Sequence, residues 1–375
     1  RRSGIMGIRV LQVVTHMNRG GLETMLMNYY RSIDREKVQF DFLTHRPYEG
    51  DYGEEIKKLG GKIYHLPTLN PFSKRYKKIL RHFFKTHPEY QIVHVHQDCL
   101  SGIILKIAKE CGIKVRIAHS HNTNQDKNLK YIIKRYYMRM IPLYATKLFA
   151  CSKEAGKWMF RGYDFQVLNN AIYSRNYIYS PEMKEKLRNE FEISCSDLVL
   201  GHIGRFSQQK NHLFLIDIFA YVKKQEPSAK LLLVGNDNNK EAEDIKEKVK
   251  MCGLKDSVIF TGLRSDVPNV LQAMDVFVFP SNYEGLAVAL IEAQASGLPC
   301  LISDKVSSES KMTDAVYQIP LSDGAEIWAK KAIKAAKETV RRDTSEEIRA
   351  AGFDIEENAK WLQNYYIKLE NQLGG

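Results

Sequence analysis

Short apolar runs alternate with longer segments of helical periodicity along nearly the whole chain. The apolar runs are rich in β-branched and aromatic residues, which is typical of strands buried on both faces of a parallel sheet. They predict strands at 9–14, 39–44, 62–66, 92–96, 115–119 and 147–151 in the first half, and at 198–203, 230–234, 258–261, 276–280 and 299–303 in the second. Residues 23–33 and 355–369 repeat apolar side chains at helical spacing and predict amphipathic helices.

Strands that alternate with helices indicate an α/β fold with parallel sheets. The 375 residues exceed what one hydrophobic core usually serves, and each series of strands is long enough for a doubly wound sheet. The pattern therefore predicts two Rossmann-like domains, one over 6–175 and one over 176–354. The join follows residues 168–172, because the periodicity is lost over 173–181.

Composition narrows the class of protein. Apolar residues make up 44% of the chain and charged residues 27%, which are ordinary proportions for a globular protein. No apolar run is long enough to span a bilayer, and the first residues lack the regions of a secretory signal. The six cysteines are scattered without a C-x-x-C pair, as in proteins of a reducing compartment. A cytoplasmic location is predicted.

The net charge of +12 calls for a negative partner or surface. Part of the excess lies in two segments where apolar side chains separate the cations, as in helices that lie on anionic membranes. The first contains Lys74, Arg75, Lys77, Lys78, Arg81 and Lys85 with Tyr76, Phe83 and Phe84, and the second contains Lys127, Lys130, Lys134, Arg135 and Arg139 with Tyr131, Ile132, Ile133, Tyr136, Tyr137 and Met140. Peripheral attachment to the inner face of a membrane is one interpretation, and a solvated helix face is the other. Nucleic acid is not predicted as a partner, since no binding motif for it accompanies the charge.

Two glutamates follow the predicted strand 276–280, Glu284 in a loop and Glu292 inside an apolar helix. Eight helical residues rise about 12 Å and turn the second side chain about 80° from the first. Both carboxylates can therefore face one crevice at two depths. That geometry suits an elongated polar ligand better than a single proton-transfer centre, and the spacing alone leaves the ligand open.

Two further pairs of residues could bind phosphate. Arg205 and Lys210 follow the strand 198–203, at the carboxyl end where open α/β sheets bind ligands. They combine a rigid guanidinium fork with a mobile point charge, which suits a diphosphate. Gly20 and Gly21 follow the first strand and can bring backbone N–H groups close to a phosphate at a helix start. The alternatives are two solvated cations and an ordinary turn.

Two His-x-His pairs end neighbouring strands, His94 with His96 and His119 with His121. Residues two apart in a strand share a face, so four imidazoles could gather around a metal ion. No carboxylate is placed among them, and no metal site is predicted. A set of hydrogen-bonded strand-end histidines without a ligand is the remaining alternative.

Six sets of residues, in this order along the chain, resemble the motifs of one family. They are Arg-Gly-Gly-Leu-Glu at 19–23, the two His-x-His pairs, Leu-Asn-Asn-Ala-Ile at 168–172, Gly-Arg-Phe-Ser-Gln-Gln-Lys-Asn at 204–211, Phe-Thr-Gly-Leu-Arg-Ser-Asp at 260–266, and the two glutamates eight positions apart. Together they resemble the retaining nucleotide-sugar glycosyltransferases of the GT-B type, especially family four, the group 1 enzymes of capsule and exopolysaccharide synthesis. The resemblance implies two Rossmann-like domains facing a central cleft, with a last helix, 355–373, packed back on the first domain.

The resemblance also implies roles for matching residues. Catalytic roles fall to His119 beside the transferring sugar, to Glu284, and to Arg205 and Lys210, which would neutralise the departing diphosphate. Donor binding is implied for Gly20, Gly21, Arg205, Lys210, Gly262, Leu263, Arg264, Glu284, Gly285, Leu286 and Glu292, with Glu292 on the ribose hydroxyls. His96 and His121 are implied on the acceptor side. The chain departs from the family pattern at Ala287, where proline is usual, and at Tyr173, where aspartate often stands.

The activity implied is transfer of a hexose, with retention, from a nucleotide diphosphate sugar (UDP in the first place) to a glycan or lipid-linked acceptor in capsule, exopolysaccharide or cell-envelope synthesis. No metal and no other cofactor is implied. One alternative is a nucleotide-sugar epimerase of similar fold, which would form product from the donor alone. The other is a non-catalytic, membrane- or polysaccharide-binding relic, against which the intact set of Arg205, Lys210, Glu284 and Glu292 argues.

Overall fold

The computed structural model describes residues 7–122 and 131–373. Within these ranges the chain divides into two compact units. The first comprises the described residues up to Ile172 together with those from Ile355 onward, and the second is Tyr173–Asp354. The change of unit therefore falls at 172/173, where the sequence pattern predicted it at 175/176.

The first unit is built on a seven-stranded sheet with the strand order β3-β2-β1-β4-β5-β6-β7. Its strands are β1 Ile8–Val13, β2 Val38–Thr44, β3 Ile63–His65, β4 Ile92–Val95, β5 Val115–Ser120, β6 Lys147–Ala150 and β7 Gln166–Val167. Its helices are α1 Gly21–Ser32, α2 Gly53–Lys58, α3 Lys74–Thr86, α4 Ser101–Glu110, α5 Tyr131–Tyr144, α6 Lys153–Phe160 and, from the far end of the chain, α14 Ile355–Asn371.

The second unit is built on a six-stranded sheet with the strand order β10-β9-β8-β11-β12-β13. Its strands are β8 Val199–Ile203, β9 Lys230–Val234, β10 Val258–Gly262, β11 Val276–Phe279, β12 Cys300–Ser303 and β13 Val316–Ile319. Its helices are α7 Pro181–Glu190, α8 His212–Gln225, α9 Lys240–Met251, α10 Val267–Val270, α11 Val288–Ala295, α12 Gly324–Glu338 and α13 Ser345–Ala350.

The described strand pairs of both sheets are parallel, and both sheets contain the strand order of the Rossmann fold. In each sheet the order reverses between the first and fourth strands, β1 and β4 in one unit and β8 and β11 in the other. Ligands of open α/β sheets bind at the carboxyl ends of strands beside such a reversal. The prediction of two Rossmann-like domains is confirmed, and the motif residues follow these strands.

The structure adds two strands that the apolar pattern did not predict. β7 is only two residues long and exposed, and β13 alternates between buried ends and the half-exposed Tyr317. Both lie at a sheet edge, where one side of the strand needs no partner. These two edge strands therefore lack the continuous apolar runs that revealed the other strands.

α14 packs on the first unit through several long-range contacts. The Gln363 side chain accepts a hydrogen bond from the backbone N–H of Asp34 at 2.7 Å, and the Tyr366 ring meets Phe40 edge-on at 6.0 Å between centroids. Tyr366 is fully buried. The helix thereby brings a C-terminal tyrosine hydroxyl into the interior of a domain built otherwise from the N-terminal part of the chain.

The two basic segments differ in the structure. In α3 the aromatic residues Tyr76, Phe83 and Phe84 are buried in the core, so the interpretation of that segment as an aromatic, membrane-facing helix is wrong. In α5 the side chains of Ile132 and Tyr136 are 77% and 62% exposed. Lys127 and Lys130 of the second segment lie outside the described residues. None of the described helices has the length and hydropathy needed to cross a bilayer.

Candidate functional site

The loops that follow β8 and β11 are joined by hydrogen bonds at the carboxyl edge of the second sheet. Asn211, in the left-handed conformation with φ of 56°, donates from its side chain to the carbonyl oxygen of Pro280 at 3.0 Å. Asn282 donates from its backbone to Gln209 at 2.8 Å and from its side chain to Gln208 at 2.7 Å. These bonds hold the loop of Lys210 against the loop of Glu284.

Lys210 and Glu284 form an ion pair at this edge. The Lys210 ammonium donates to Oε2 of Glu284, which also accepts a hydrogen bond from the Gln209 side chain at 3.3 Å. The ammonium lies 4.6 Å from the centroid of the Phe279 ring, close enough for a cation–π interaction. Because both side chains are mostly buried, the pair fixes the position of each charge.

Arg205 follows the same strand but is exposed. It has no hydrogen-bond or ion-pair partner among residues 7–122 and 131–373. Arg205 is therefore available to a ligand, whereas Lys210 is already paired with Glu284. An anion that approaches the carboxyl edge can be bound by Arg205 without displacing a protein group.

Glu292 lies on α11, which begins at Val288, so Glu284 precedes the helix and Glu292 lies within it, as the spacing predicts. Its Oε1 accepts a hydrogen bond of 2.7 Å from the Tyr177 hydroxyl. Burial raises the pKa of the Glu292 carboxyl to about 7, against the opposing effect of the Tyr177 bond. A ligand with two neighbouring hydroxyls could replace the tyrosine and satisfy both carboxylate oxygens.

The raised pKa of Glu292 predicts a pH-dependent stability. Between pH 4.5 and about 7 the folded chain holds a proton on Glu292 that the unfolded chain has lost, so the free energy of unfolding falls as pH rises through this window. In Glu292→Gln this loss is absent, and the variant should gain about 1–3 kcal/mol relative to the parent between pH 5 and pH 8. Urea denaturation at the two pH values measures this gain. The control is Glu247→Gln at an exposed position. Its free energy of unfolding should differ from that of the parent by the same amount at pH 5 and at pH 8.

The loop after β10 is held by Arg264. Its guanidinium donates to both carboxylate oxygens of Asp266, at 2.7 and 2.8 Å, and to Glu190 at 2.7 Å. Gly262 has a φ of +70°, and Leu263 is 76% exposed. Two carboxylates neutralise Arg264. The parts of this loop that remain available to a planar ring of a ligand are therefore the Gly262 backbone and the exposed Leu263 side chain. The predicted role of Arg264 in donor binding stays a prediction.

Gly285 and Leu286 complete the loop between β11 and α11. The Gly285 carbonyl oxygen accepts a hydrogen bond of 3.0 Å from the Ser310 hydroxyl. The preceding residue, Glu284, pairs its backbone with the segment 305–307. Leu286 is half-buried. The loop is therefore held on both sides although Ala287 replaces the usual proline at the helix start.

Gly20 and Gly21 stand at the start of α1, with Gly20 as the residue before the helix. Nothing lies within 4 Å of where a Gly21 side chain would begin, so its backbone is open to approach. The Glu23 carboxylate lies against Gly20, and Glu23 pairs with His16 at 3.2 Å. A phosphate at this helix start would meet that carboxylate, which makes this the least favourable of the predicted phosphate contacts.

The four strand-end histidines gather inside the first unit. The rings of His119 and His121 lie 4.1 Å apart between centroids, and those of His94 and His96 4.4 Å apart. Burial lowers the pKa of His94 and His121 to about 3, with the charge of His121 adding to the effect on His94. Burial, followed by the neighbouring histidines, lowers the pKa of His96 and His119 well below the usual value. All four rings are neutral at physiological pH.

Ring nitrogens of His94, His96 and His119 lie within 4.8 Å of one another, a spacing that could hold a metal ion. Hydrogen bonds already occupy five of their six nitrogens. The partners are Tyr366 and His119 for His94, Gln12 and His121 for His96, and His94 for Nδ1 of His119. A metal ion would have to break several of these bonds, so the arrangement fits a hydrogen-bonded cluster better than a metal centre.

Several residues of the sites were not found from the sequence. Tyr177 lies in the segment 173–181, whose lost periodicity concealed its contact with Glu292. Gln12 and Tyr366 look like ordinary strand and helix residues. Behind Lys210, the buried His202 and His212 lie with ring centroids 4.6 Å apart. Burial lowers the pKa of both, and neither belongs to a His-x-His pair that would have drawn attention.

Two family models match the chain, one described as glycosyl transferases group 1 over residues 183–351 and one described as glycosyltransferase family 4 over residues 19–172. The protein EpsF of Bacillus subtilis (strain 168), named as a glycosyltransferase, is 35% identical over 378 residues, which cover 96% of this chain and 96% of EpsF. The chain belongs to the group 1 glycosyltransferases of family four. The resemblance drawn from the sequence motifs is confirmed.

Two further proteins are similar to this glycosyltransferase over most of its length. The capsular polysaccharide biosynthesis glycosyltransferase CapH of Staphylococcus aureus is 24% identical over 96% of this chain and 99% of CapH. The crystal structure of Anabaena HepE in complex with UDP has a TM-score of 0.80 at 16% identity and covers 96% of this chain and 100% of HepE. At that identity the likeness to HepE shows the fold, which is GT-B.

Proposed function

We propose that this glycosyltransferase transfers a hexose from a UDP-sugar, with retention, to a hydroxyl of a glycan or lipid-linked acceptor in capsule or exopolysaccharide synthesis. The observation that carries the proposal is the mostly buried Lys210–Glu284 pair beside the available Arg205 at the carboxyl edge of the second sheet. The description of CapH as a capsular polysaccharide biosynthesis enzyme supports the choice of capsule or exopolysaccharide synthesis. The UDP in the HepE crystal structure supports the choice of nucleotide.

The charges of the second unit suit a nucleotide diphosphate sugar. Arg205 would bind the diphosphate first, and Lys210 would then share its charge between Glu284 and a phosphate oxygen. As the glycosidic bond breaks, negative charge grows on that phosphate, and fixed cations stabilise it. Glu284 remains beside Lys210 to accept hydrogen bonds from sugar hydroxyls, and Glu292 would accept them from the ribose.

Retention follows from the same arrangement in this proposal. The departing phosphate helps to deprotonate the acceptor hydroxyl on the face that it leaves. Neutral His119 can donate or accept a hydrogen bond at the sugar but does not serve as an acid at physiological pH, because its pKa lies well below the usual value. Arg205 and Lys210 supply the positive charge at the diphosphate, and we propose that no metal is required; turnover should be unchanged by EDTA.

The donor assignment predicts a nucleotide-dependent stabilisation. A ligand that binds only the native state raises the free energy of unfolding by about 2.7 kcal/mol at a hundredfold excess over its Kd. UDP and UDP-hexoses should therefore raise the thermal midpoint more than GDP or ADP do. Equal shifts from all three nucleotides would contradict the choice of uridine. Incubation with donor alone separates transfer from epimerisation, because only an epimerase forms a new nucleotide sugar without acceptor.

We also propose a cytoplasmic enzyme that attaches peripherally to the anionic inner face of a membrane. The support is narrower than the sequence suggested: it comes from α5, where Ile132 and Tyr136 are exposed beside Lys134 and Arg139. Flotation with vesicles that contain anionic lipid should recover the protein at low salt and lose it as salt rises. The double change Ile132→Ser with Tyr136→Ser should weaken flotation. Flotation that is absent, or that salt does not alter, contradicts attachment by charge.

A further inference from the structure

Six buried or half-buried side chains of the first unit form one continuous chain of hydrogen bonds that the proposed chemistry does not explain. Its centre is the amide of Gln12 in β1, which is fully buried. Oε1 of Gln12 lies 2.9 Å from Nε2 of His96, and the amide nitrogen of Gln12 donates to the Tyr366 hydroxyl at 3.3 Å. Two branches therefore leave the amide, one through His96 to His121 and one through Tyr366 and His94 to His119.

The amide determines which nitrogen of each ring carries the hydrogen. Because the Gln12 oxygen can only accept, His96 must carry its hydrogen on Nε2, and its Nδ1 must accept from Nε2 of His121 at 2.8 Å. Nδ1 of His121 is then left as a bare lone pair. This atom is buried and has no hydrogen-bond partner in the described part of the chain.

The second branch ends in the opposite way. The Tyr366 hydroxyl accepts from the Gln12 amide and has one hydrogen, which it donates to Nδ1 of His94 at 2.6 Å. His94 then donates from Nε2 to Nδ1 of His119 at 3.1 Å. Nε2 of His119 consequently carries a hydrogen, and it too is buried without a partner among residues 7–122 and 131–373.

Rotation of the Gln12 amide by 180° reverses every bond in both branches. His119 would then end its branch in a lone pair and His121 in an N–H group. The two terminal nitrogens thus have opposite hydrogen-bonding character in either orientation, because an amide always offers a donor on one side and an acceptor on the other. The orientation that the structure shows places the hydrogen of all four rings on Nε2.

We propose that Gln12 and Tyr366 are positioning residues that couple the tautomers of the four histidines, so that His119 and His121 present one N–H donor and one lone pair to hydroxyl groups of the saccharide substrates. Hydroxyl groups can accept from the N–H and donate to the lone pair, whereas an ether oxygen only accepts and an ammonium group only donates. The identity of the ligand rests on the proposed function; the coupling of the tautomers does not.

The unpaired state explains why a ligand is needed. Leaving a buried polar atom without a partner costs about 1–3 kcal/mol, and two such atoms lie at adjacent rings here. Hydroxyl groups that pair with these atoms recover this cost on binding. The low pKa values that burial imposes on the rings keep each nitrogen in its donor or acceptor state over the physiological range.

The near-isosteric change Gln12→Glu tests the coupling. Burial raises the pKa of a carboxyl, so the spectra are taken at a pH high enough to ionise the new side chain. An ionised carboxylate only accepts, so the His96 branch is then unchanged, whereas Tyr366 must donate to Glu and accept from His94. In ¹⁵N spectra of histidine-labelled, ligand-free protein, the wild-type chain should show all four rings protonated on Nε2. The variant should show His94 and His119 protonated on Nδ1, with His96 and His121 as before. Single histidine substitutions assign the signals.

The second measurement is the kinetics of transfer. With two lone pairs in place of the donor–acceptor pair, kcat/KM of Gln12→Glu should fall about 10–100-fold. The control Gln225→Glu makes the same chemical change at an exposed position and should stay within twofold of the wild type. Tyr366→Phe removes only the link to His94, so it should leave His121 protonated on Nε2 while His119 becomes a mixture of tautomers.

The outcomes separate the two parts of the proposal. His94 and His119 signals that stay unchanged in Gln12→Glu after its carboxyl has ionised, or terminal nitrogens of the same character in the wild type, would overturn the coupling. Tautomers that shift as expected in a variant with wild-type kcat/KM would overturn the role in ligand binding. If Gln12→Glu does not fold, Tyr366→Phe alone decides, since a His119 signal that does not change there also overturns the coupling. The spectra need no substrate, so a chain without hexosyl transfer would refute the proposed function and leave the tautomer result standing.

Discussion

Replacing Lys210 with alanine is expected to lower kcat about 10²–10³-fold, the usual cost of removing one fixed group that stabilises developing negative charge. The loss should exceed any rise in KM for the donor, because in the proposed site Arg205 would still bind the diphosphate in the ground state. The ammonium that disappears is mostly buried, paired with Glu284 and placed against Phe279, so solvent cannot supply an equivalent charge. Initial rates with a radiolabelled UDP-hexose at varied donor concentration separate the two constants.

The matched control for this variant is Lys246→Ala. Lys246 also pairs with a carboxylate, Asp237, at 2.7 Å, and also lies over an aromatic ring, that of Phe260. It lies on the exposed face of α9. Unlike Lys210, it does not follow β8 or β11, the strands between which the order of the second sheet reverses. Its loss should leave kcat within twofold. Equal effects of the two variants would contradict a specific role for Lys210 at the leaving group.

Replacing Arg188 with methionine is expected to lower the free energy of unfolding by about 3 kcal/mol or more, the scale for breaking a buried ion pair. Arg188 lies on α7 and is 1% exposed. Its guanidinium donates to Asp275 at 2.7 Å and to the carbonyl oxygens of Ala273, Ser194, Cys195 and Asp197. Methionine fills much of the volume but offers no donor, so Asp275 and these carbonyl oxygens lose the guanidinium as their partner. Urea denaturation followed by circular dichroism measures the change.

Lys246→Met serves as the control for stability. It also replaces a long cationic side chain by methionine, but in an exposed ion pair. Surface pairs contribute roughly 0–1 kcal/mol, so this variant should stay within that range. Lys184 continues to pair with Asp275 at 2.8 Å in Arg188→Met, which keeps the aspartate charge compensated in part. A loss below 1 kcal/mol in Arg188→Met would show that the carbonyl contacts add little beyond that remaining pair.

Both glutamates that are proposed to bind the donor are paired with protein groups in the structure. Lys210 holds Glu284, and Tyr177 holds Glu292. Such pairing prevents buried charges from standing alone before substrate arrives, because an unpaired buried charge is costly. In the proposed function, a diphosphate and a ribose would exchange for these partners with little change in the number of hydrogen bonds. The exchange would give selectivity, since a ligand without those groups would leave the protein contacts intact and gain nothing.

Much of the fold could be predicted from the chain because local patterns record it. The strand at 230–234 agrees residue for residue with β9, and the other central strands agree to within a residue or two at each end. Buried central strands need continuous apolar runs, and these are visible in sequence. The edge strands β7 and β13 do not need them and were missed. In α3, cations interleaved with aromatics were interpreted either as a helix on a membrane surface or as a solvated helix face, and the aromatics in fact fill the core.

The sequence by itself determined the fold class and the family and indicated the charged residues that we propose for the donor site, because each is encoded in residue types and spacings over short stretches. Only the tertiary structure decided which groups meet. Lys210 and Glu284 are 74 positions apart, Tyr177 and Glu292 115, and Gln12 and Tyr366 354. Contacts at such separations depend on strand order and on the return of α14 to the first sheet. No local pattern contains that information, since a hydroxyl or an amide acquires its role only from the partner that folding brings within 3.5 Å.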